Sequence, residues 1–299
     1  DPVNADVVYV LNAPMMRSID GGRSFANIRV GHGDTHDLWI NPKNNQNLAL
    51  ADDGGGEITY NTGRTWSPIN NQATAQFYRV IADNRFPYWV YGGQQDNSSV
   101  ATPSRNGSFG ITDKDWINGP GCESAWVAFD NPNDPQLLFG GCYQGQINVL
   151  DLRTGETKDI QEYPSTNLAF APKKMKYRFN WNAPFLNSPH DPKVMYHAGN
   201  VLFHTSNGGM SWEVISPDLT RNDSTKQDVS GGPITNEGAG GENYNTIYYV
   251  MESPHEPGVI YTGSDCGLVH LTRDGGKNWS NVTPAGLPEG MIHSIEVSP

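Results

Sequence analysis

Apolar residues in this chain come in short runs of four to six, broken by Gly, Pro, Asn and Asp. One composite pattern recurs: an apolar run, a turn of the type N/S-P-x-x-x-x, then a second apolar run ending in Gly. It is found in LWINPKNNQNLALADDGG (38–55), VAFDNPNDPQLLFGG (127–141), FLNSPHDPKVMYHAG (185–199) and YVMESPHEPGVIYTGSDCG (249–267). A looser copy is YRVIADNRFPYWVYGG (78–93). Runs of this length, rich in β-branched and aromatic residues and bounded by turn formers, predict strands joined as hairpins. The chain opens on the second half of the pattern, DPVNADVVYVL (1–11), and closes on its first half, HSIEVSP (293–299).

A second phrase follows at a near-constant distance: SIDGGRSF (18–25), TYNTGRTW (59–66), TSNGGMSW (205–212) and TRDGGKNW (272–279). From Pro2, Pro42, Pro189 and Pro254 to Asp20, Asn61, Asn207 and Asp274 the offsets are 18, 19, 18 and 20 residues. This is the pattern of the Asp-box, or BNR, repeat. In such a turn the Asp or Asn side chain bonds local amides, Gly supplies a positive φ, and the aromatic fills space between sheets. Together the phrases predict an all-β fold, a β-propeller of four-stranded blades A to D. Six blades are visible and seven are open for the intact protein. Residues 1–299 then read as one propeller domain, HSIEVSP supplying the inner strand of the blade begun by Asp1–Phe25.

Composition narrows the alternatives. The 33 Gly and 21 Pro, with only 17% charged residues, argue against long helices, and the 10% aromatic content argues against disorder. No apolar run approaches the roughly 18 residues of a membrane span. A net charge of −12 without a basic cluster makes nucleic acid a poor partner. Three cysteines are too few for a disulfide scaffold. Cys122, just before an A strand, and Cys142, just after its hairpin partner, come within bonding reach in antiparallel register, which would leave Cys266 unpaired. Sequons at Asn97, Asn106, Asn222, Asn278 and Asn281 fit a secreted, periplasmic or cell-surface protein.

In a propeller the D–A and B–C connections converge on one face, where ligands bind. Those connections hold the candidate residues. Asp34, Asp96, Glu123 and Glu242 are candidate acid, base or nucleophile, since glycoside hydrolysis needs two carboxyls at defined spacing. His32, His36, Asp37, Gln76, Gln94, Gln95, Asn97, Arg178 and Tyr244 are candidates for holding substrate. In GHGDTHDLW (31–39) the period of two puts His32, Asp34 and His36 on one side of a strand. That set suits a hydrogen-bonded network, acid–base chemistry or, with lower weight, a divalent cation; no cofactor is otherwise expected. Asp52 and Asp53 suit a turn. Tyr143, Trp181, Tyr244 and Trp126 would stack sugars or fill blade cores. One Arg178 is not the arginine triad of sialidases.

Longer phrases, HGDTHDLWINP, ATAQFYRVIADNRFPYWVYGGQQDNS and ESPHEPGVIYTGSDCGLVHLTRDGGKNW among them, resemble exported bacterial BNR-repeat glycosyl hydrolases of the sortilin (VPS10)-like type. The resemblance implies that the chain is part of a larger tandem-propeller protein. It implies a carbohydrate-active propeller binding glycan or polysaccharide on the D–A/B–C face. The alternative is a non-catalytic sortilin-like module that captures a peptide or protein partner there.

Overall fold

The computed structural model describes residues 1–72, 74–164, 170–229 and 243–298. Glu242 therefore lies outside the described residues. The chain forms two compact units, Asp1–Ala75 and Gln76–Pro299. Both are all-β; the helical elements among the described residues are four short 3-10 turns. Every sheet is an antiparallel meander of consecutive strands.

The first unit holds two three-stranded sheets. One consists of β1 (Val8–Val10), β2 (Met16–Ser18) and β3 (Ala26–Asn27); the other of β4 (Thr35–Ile40), β5 (Leu48–Asp52) and β6 (Gly55–Thr59). A fourth strand was expected after Trp66. Ser67 donates one backbone bond to Ile58 O at 2.9 Å, and the pairing stops there. Pro68 follows, and a residue without N–H cannot continue the ladder.

The second unit holds four four-stranded sheets. The third sheet of the chain is β7 (Phe77–Ala82), β8 (Trp89–Gln94), β9 (Ser98–Pro103) and β10 (Ile117–Asn118). The fourth is β11 (Val127–Phe129), β12 (Leu137–Gly141), β13 (Ile147–Asp151) and β14 (Thr157–Asp159). The fifth is β15 (Phe185–Asn187), β16 (Met195–Ala198), β17 (Leu202–Thr205) and β18 (Glu213–Val214). The sixth is β19 (Ile247–Glu252), β20 (Ile260–Ser264), β21 (Val269–Thr272) and β22 (Ser280–Asn281).

Alternation along a strand sends successive side chains to opposite faces, and on inner strands such as β12 and β16 both faces are buried. Leu138 packs with Tyr91 and Val127, whereas the next residue, Phe139, packs with Ile147, Phe185 and Met195. On β16, Met195 faces that second cluster while Tyr196 and Ala198 join Leu202, Ile247 and Ile260. The cores thus lie between consecutive sheets, which explains why strands such as LLFGG and MYHA read as continuous apolar runs. Each fully buried large side chain contributes roughly 1.5–3 kcal/mol.

The four phrase turns share one hydrogen-bond scheme. The hydroxyls of Ser18, Thr59, Thr205 and Thr272 accept from Gly22, Gly63, Gly209 and Gly276 N at 2.8–3.1 Å. The side chains of Asp20, Asn61, Asn207 and Asp274 accept from Ser24, Thr65, Ser211 and Asn278 N at 2.9–3.0 Å. All four glycines have positive φ. Trp212 Nε1 donates to Ile160 O at 2.7 Å and Trp279 Nε1 to Ile215 O at 2.9 Å, so each indole clasps the end of the preceding sheet. Phe25 lacks a donor and is 43% exposed.

The HSIEVSP segment was expected as an inner strand. Its described residues make no strand pairing. Ile292 N donates to Ser264 O at 3.0 Å, and Ile292 and Ile295 lie over Gly263, where a Cβ would meet Ile292 at 2.3 Å. Close seating of two isoleucines on a side-chain-free position holds this stretch against β20.

Candidate functional site

In the second unit, the β8–β9 connection and the segment before β11 meet through a polar cluster. Gln95 Nε2 donates to Asp96 Oδ1 and to Glu123 Oε2, both at 2.9 Å. Asp96 N also donates to Glu123 Oε2, at 3.2 Å. Two oxygens sharing one donor nitrogen at this range lie less than about 6 Å apart. That bound lies below the roughly 6.5–9.5 Å of inverting glycosidases and admits the roughly 5–5.5 Å of retaining ones.

Two backbone features create this meeting. Asp96 and Ser98 adopt positive φ (60° and 63°), which turns the loop tightly enough to bring Gln95 and Asp96 over Glu123. Glu123 is anchored by the disulfide between Cys122 and Cys142, whose Cα atoms are 4.7 Å apart, and by Cys122 N donating to Gly141 O. Cys266 is a buried free thiol.

Aromatic groups border the cluster. The Tyr78 hydroxyl donates to Gln95 Oε1 and accepts from Trp181 Nε1 at 3.0 Å. Trp181 stacks on Tyr143 with ring centroids 4.7 Å apart and planes 11° apart. Burial raises the Tyr78 phenol above its ordinary range; the Trp181 bond opposes this, and the charges of Glu123 and Asp96 add to it. Gln94 Nε2 donates to Asn97 O and Asn97 Nδ2 to Gln95 O, so these two residues brace the loop. Gln76 is exposed; its carbonyl accepts from Gln95 N.

The other candidates of this unit lie in different settings. Arg178 is 5% exposed and donates to Asp218 Oδ2 at 2.6 Å, to Thr220 Oγ1 and to Asn245 O. Burial pushes the Asp218 carboxyl up, but bonds from Thr220, Asn200 and Arg178 outweigh it and hold the group low. Arg178 is thus part of an internal ion-pair network. Tyr244 donates to Glu289, which also pairs with Lys226 at 2.5 Å. Trp126 is buried against Phe139 and Phe185.

In the first unit the GHGDTHDLW segment is spread rather than gathered. His36 bonds Asp53, Asp37 Oδ1 accepts from Leu38 N at 2.9 Å, and Asp34 has φ 52° and is exposed. Thr35, between them, is buried and exchanges bonds with the Asn12 backbone at 2.9 and 3.0 Å. His32 Nδ1 lies 3.1 Å from Gly33 O. Among the described residues, no three His, Cys, Asp or Glu side chains gather as a metal-holding group.

Beneath His32 lies a carboxyl pair that the sequence patterns did not single out. Glu57 is 1% exposed, accepts from Gly31 N at 2.7 Å, and is a hydrogen-bonding partner of Asp52. Glu57 Oε2 and Asp52 Oδ2 are both buried, so the bond between the two carboxyls requires that one of them carry a proton. Burial first, then the bond and charge of Asp52, raise the Glu57 carboxyl to about 7. A signal was present: in GGEIT the strand period turns Glu57 inward with Thr59 and leaves Ile58 exposed, the reverse of ordinary polarity.

No protein-family model matches the chain, and no curated protein sequence matches it. Solved structures that resemble it include "YCF48 bound to D1 peptide", 11% identical, with 94% of this chain and 80% of that one aligned and a TM-score of 0.40. The GH74 enzyme of Niastella koreensis is 14% identical over 97% of this chain and 59% of its own, with a TM-score of 0.33. The GH74 xyloglucanase of Xanthomonas campestris is 16% identical over 95% of this chain and 45% of its own, with a TM-score of 0.35. The chain spans less than two thirds of either GH74 structure. At these TM-scores nothing about function is carried across.

Proposed function

We propose that the sheets are blades of an Asp-box β-propeller and that the chain is a glycan-binding, glycoside hydrolase-like protein acting at Asp96 and Glu123. The observation that carries the reading is the single Gln95 nitrogen bonded to both carboxylates. Their spacing suits a retaining mechanism, one carboxylate attacking the anomeric carbon while the other, protonated, gives its proton to the leaving oxygen. Trp181 and Tyr143 offer an aromatic surface beside the pair for a sugar ring. The proposal takes in neither Asp34 nor Glu242 and needs no metal.

An oxidising compartment, secreted or periplasmic, accords with the Cys122–Cys142 disulfide. Among the described residues no helix is long and apolar enough to cross a membrane.

The test is a polysaccharide panel read by reducing-end release on the wild type, Asp96→Asn and Glu123→Gln. Turnover on one glycan, lost by at least a hundredfold in both variants and restored by azide in the nucleophile variant, supports the proposal. Turnover equal in all three removes the assignment.

A second reading, non-catalytic capture of a peptide or protein partner on the same face, draws on one observation. Glu123 Oε2 already accepts two bonds from the protein itself. Saturable binding of a partner with no turnover on any glycan would select it.

A further inference from the structure

A cavity of about 210 Å³ opens among β7, β11 and β19, lined by Arg79, Val80, Ile81, Tyr91, Trp126, Val127 and Tyr249. Its walls are apolar or aromatic except at Arg79. The guanidinium carbon of Arg79 sits 4.8 Å from the Trp126 ring centroid and 5.5 Å from that of Tyr249. Arg79 Nη2 donates to His293 O at 3.1 Å. Among the described residues Arg79 Nε is buried without an acceptor and Arg79 enters no ion pair.

A guanidinium fixed against the edge-to-face pair of Trp126 and Tyr249, whose centroids are 5.8 Å apart, and holding an unused, buried N–H is prepared for an anion. Nε–H and the second hydrogen of Nη2 form the planar fork that accepts a carboxylate through both oxygens. Phosphate fits less well, because its further oxygens would face Val80, Ile81 and Val127 without donors. The Tyr91 hydroxyl offers nothing, being bonded to Asp83 at 2.8 Å and to Arg85 at 2.7 Å. Apart from the Tyr249 hydroxyl, which feels the charge of Glu296, the remaining wall is apolar or aromatic, so the rest of the ligand is mainly apolar. An engineered cavity of roughly 150 Å³ takes up benzene, so this one has room for a ring bearing a carboxylate. Val80, 57% exposed, marks the entrance.

We infer that this cavity is a binding site for a small monocarboxylate with an apolar, ring-sized body, held by Arg79 beside Trp126 and Tyr249. It is separate from the Asp96–Glu123 pair, and its test does not depend on glycan turnover.

Benzoate, benzamide and acetate are titrated into the full chain at neutral pH, read by calorimetry and by the fluorescence of Trp126, with a Trp126→Phe control. The expected result is saturable one-to-one binding of benzoate, at least tenfold tighter than benzamide or acetate, and at least tenfold weaker in Arg79→Gln. Ile81→Phe fills the cavity while leaving Arg79 in place, and is expected to abolish binding even if Arg79→Gln does not fold. Benzoate and benzamide binding alike, benzoate unsaturated up to about 10 mM, or Ile81→Phe binding as the wild type does, would overturn the inference.

Discussion

His197 Nδ1 lies 2.9 and 3.0 Å from the two carboxylate oxygens of Glu162, and each of these side chains is 1% exposed. The imidazole also stacks on Phe179, centroids 5.1 Å apart. Leaving the imidazole buried without its partner costs about 1–3 kcal/mol, whereas replacing both groups by apolar ones is often neutral. Glu162→Ala is therefore expected to lose that much in urea unfolding, and the double variant His197→Phe with Glu162→Leu to recover most of it. A single-variant loss below about 1 kcal/mol, as for a surface pair, would show that the pair is not sealed from water.

The Asp52–Glu57 pair has a pH signature of known sign. Glu57 rises from 4.5 to about 7 on folding, chiefly through burial. The native state then binds more protons than the unfolded state between those values, so the pair's contribution falls as pH rises from about 4.5 to 7 and is fully lost above 7. Asp265, raised to about 6 by burial, adds a slope of the same sign. Glu57→Gln keeps an acceptor for Gly31 N and gives Asp52 a donor. The variant should be the more stable protein at pH 8, and the difference should shrink on acidification toward pH 5. Urea midpoints of both proteins across this range check it; parallel curves would contradict it.

Much of this architecture is legible in the chain. The apolar runs mark both strands of each hairpin, and the phrase turns fall where Gly22, Gly63, Gly209 and Gly276 take positive φ. Cys122 and Cys142 were near enough in register to bond. What escapes is set by partners distant in sequence. Nothing near Arg178 announces that Asp218 will consume its charge, and nothing in HSIEVSP announces that Gly263 will seat Ile295. Asp96 and Glu123 could be named separately, but their meeting depends on a loop turned by two non-glycine residues at positive φ. Tyr78 was hidden in an apolar run, since its role comes from the Gln95 and Trp181 side chains alone.

The clasping indoles give a direct measure of adhesion between sheets. Trp212→Phe keeps the ring but removes its donor to Ile160 O, and Trp279→Phe does the same at Ile215 O. Each is expected to cost about 1–3 kcal/mol, for the lost bond and the carbonyl left without its partner. Phe25→Trp, at a position with 43% exposure, is expected to be near neutral. Thermal unfolding of the three variants checks the contrast.

The disulfide ties stability to the carboxylate cluster. Cys122 and Cys142 are 20 residues apart, and closing a loop of that size restricts the unfolded chain by about 3 kcal/mol. The same bond fixes the residue before Glu123, where Gly121 and Gly140 allow a backbone approach that a Cβ would block, at 2.2 Å from Gly141 O and 2.1 Å from Pro120 O. Cys122→Ser with Cys142→Ser should therefore lower unfolding stability by about 3 kcal/mol, and should loosen the loop more than the rest of the fold. Hydrogen exchange at Asp96 N, which donates to Glu123, should speed up at least tenfold more than at Tyr196 N, inside β16. Equal acceleration at the two amides would mean that the bond stabilises the whole unit and does not hold the Asp96–Glu123 contact in particular.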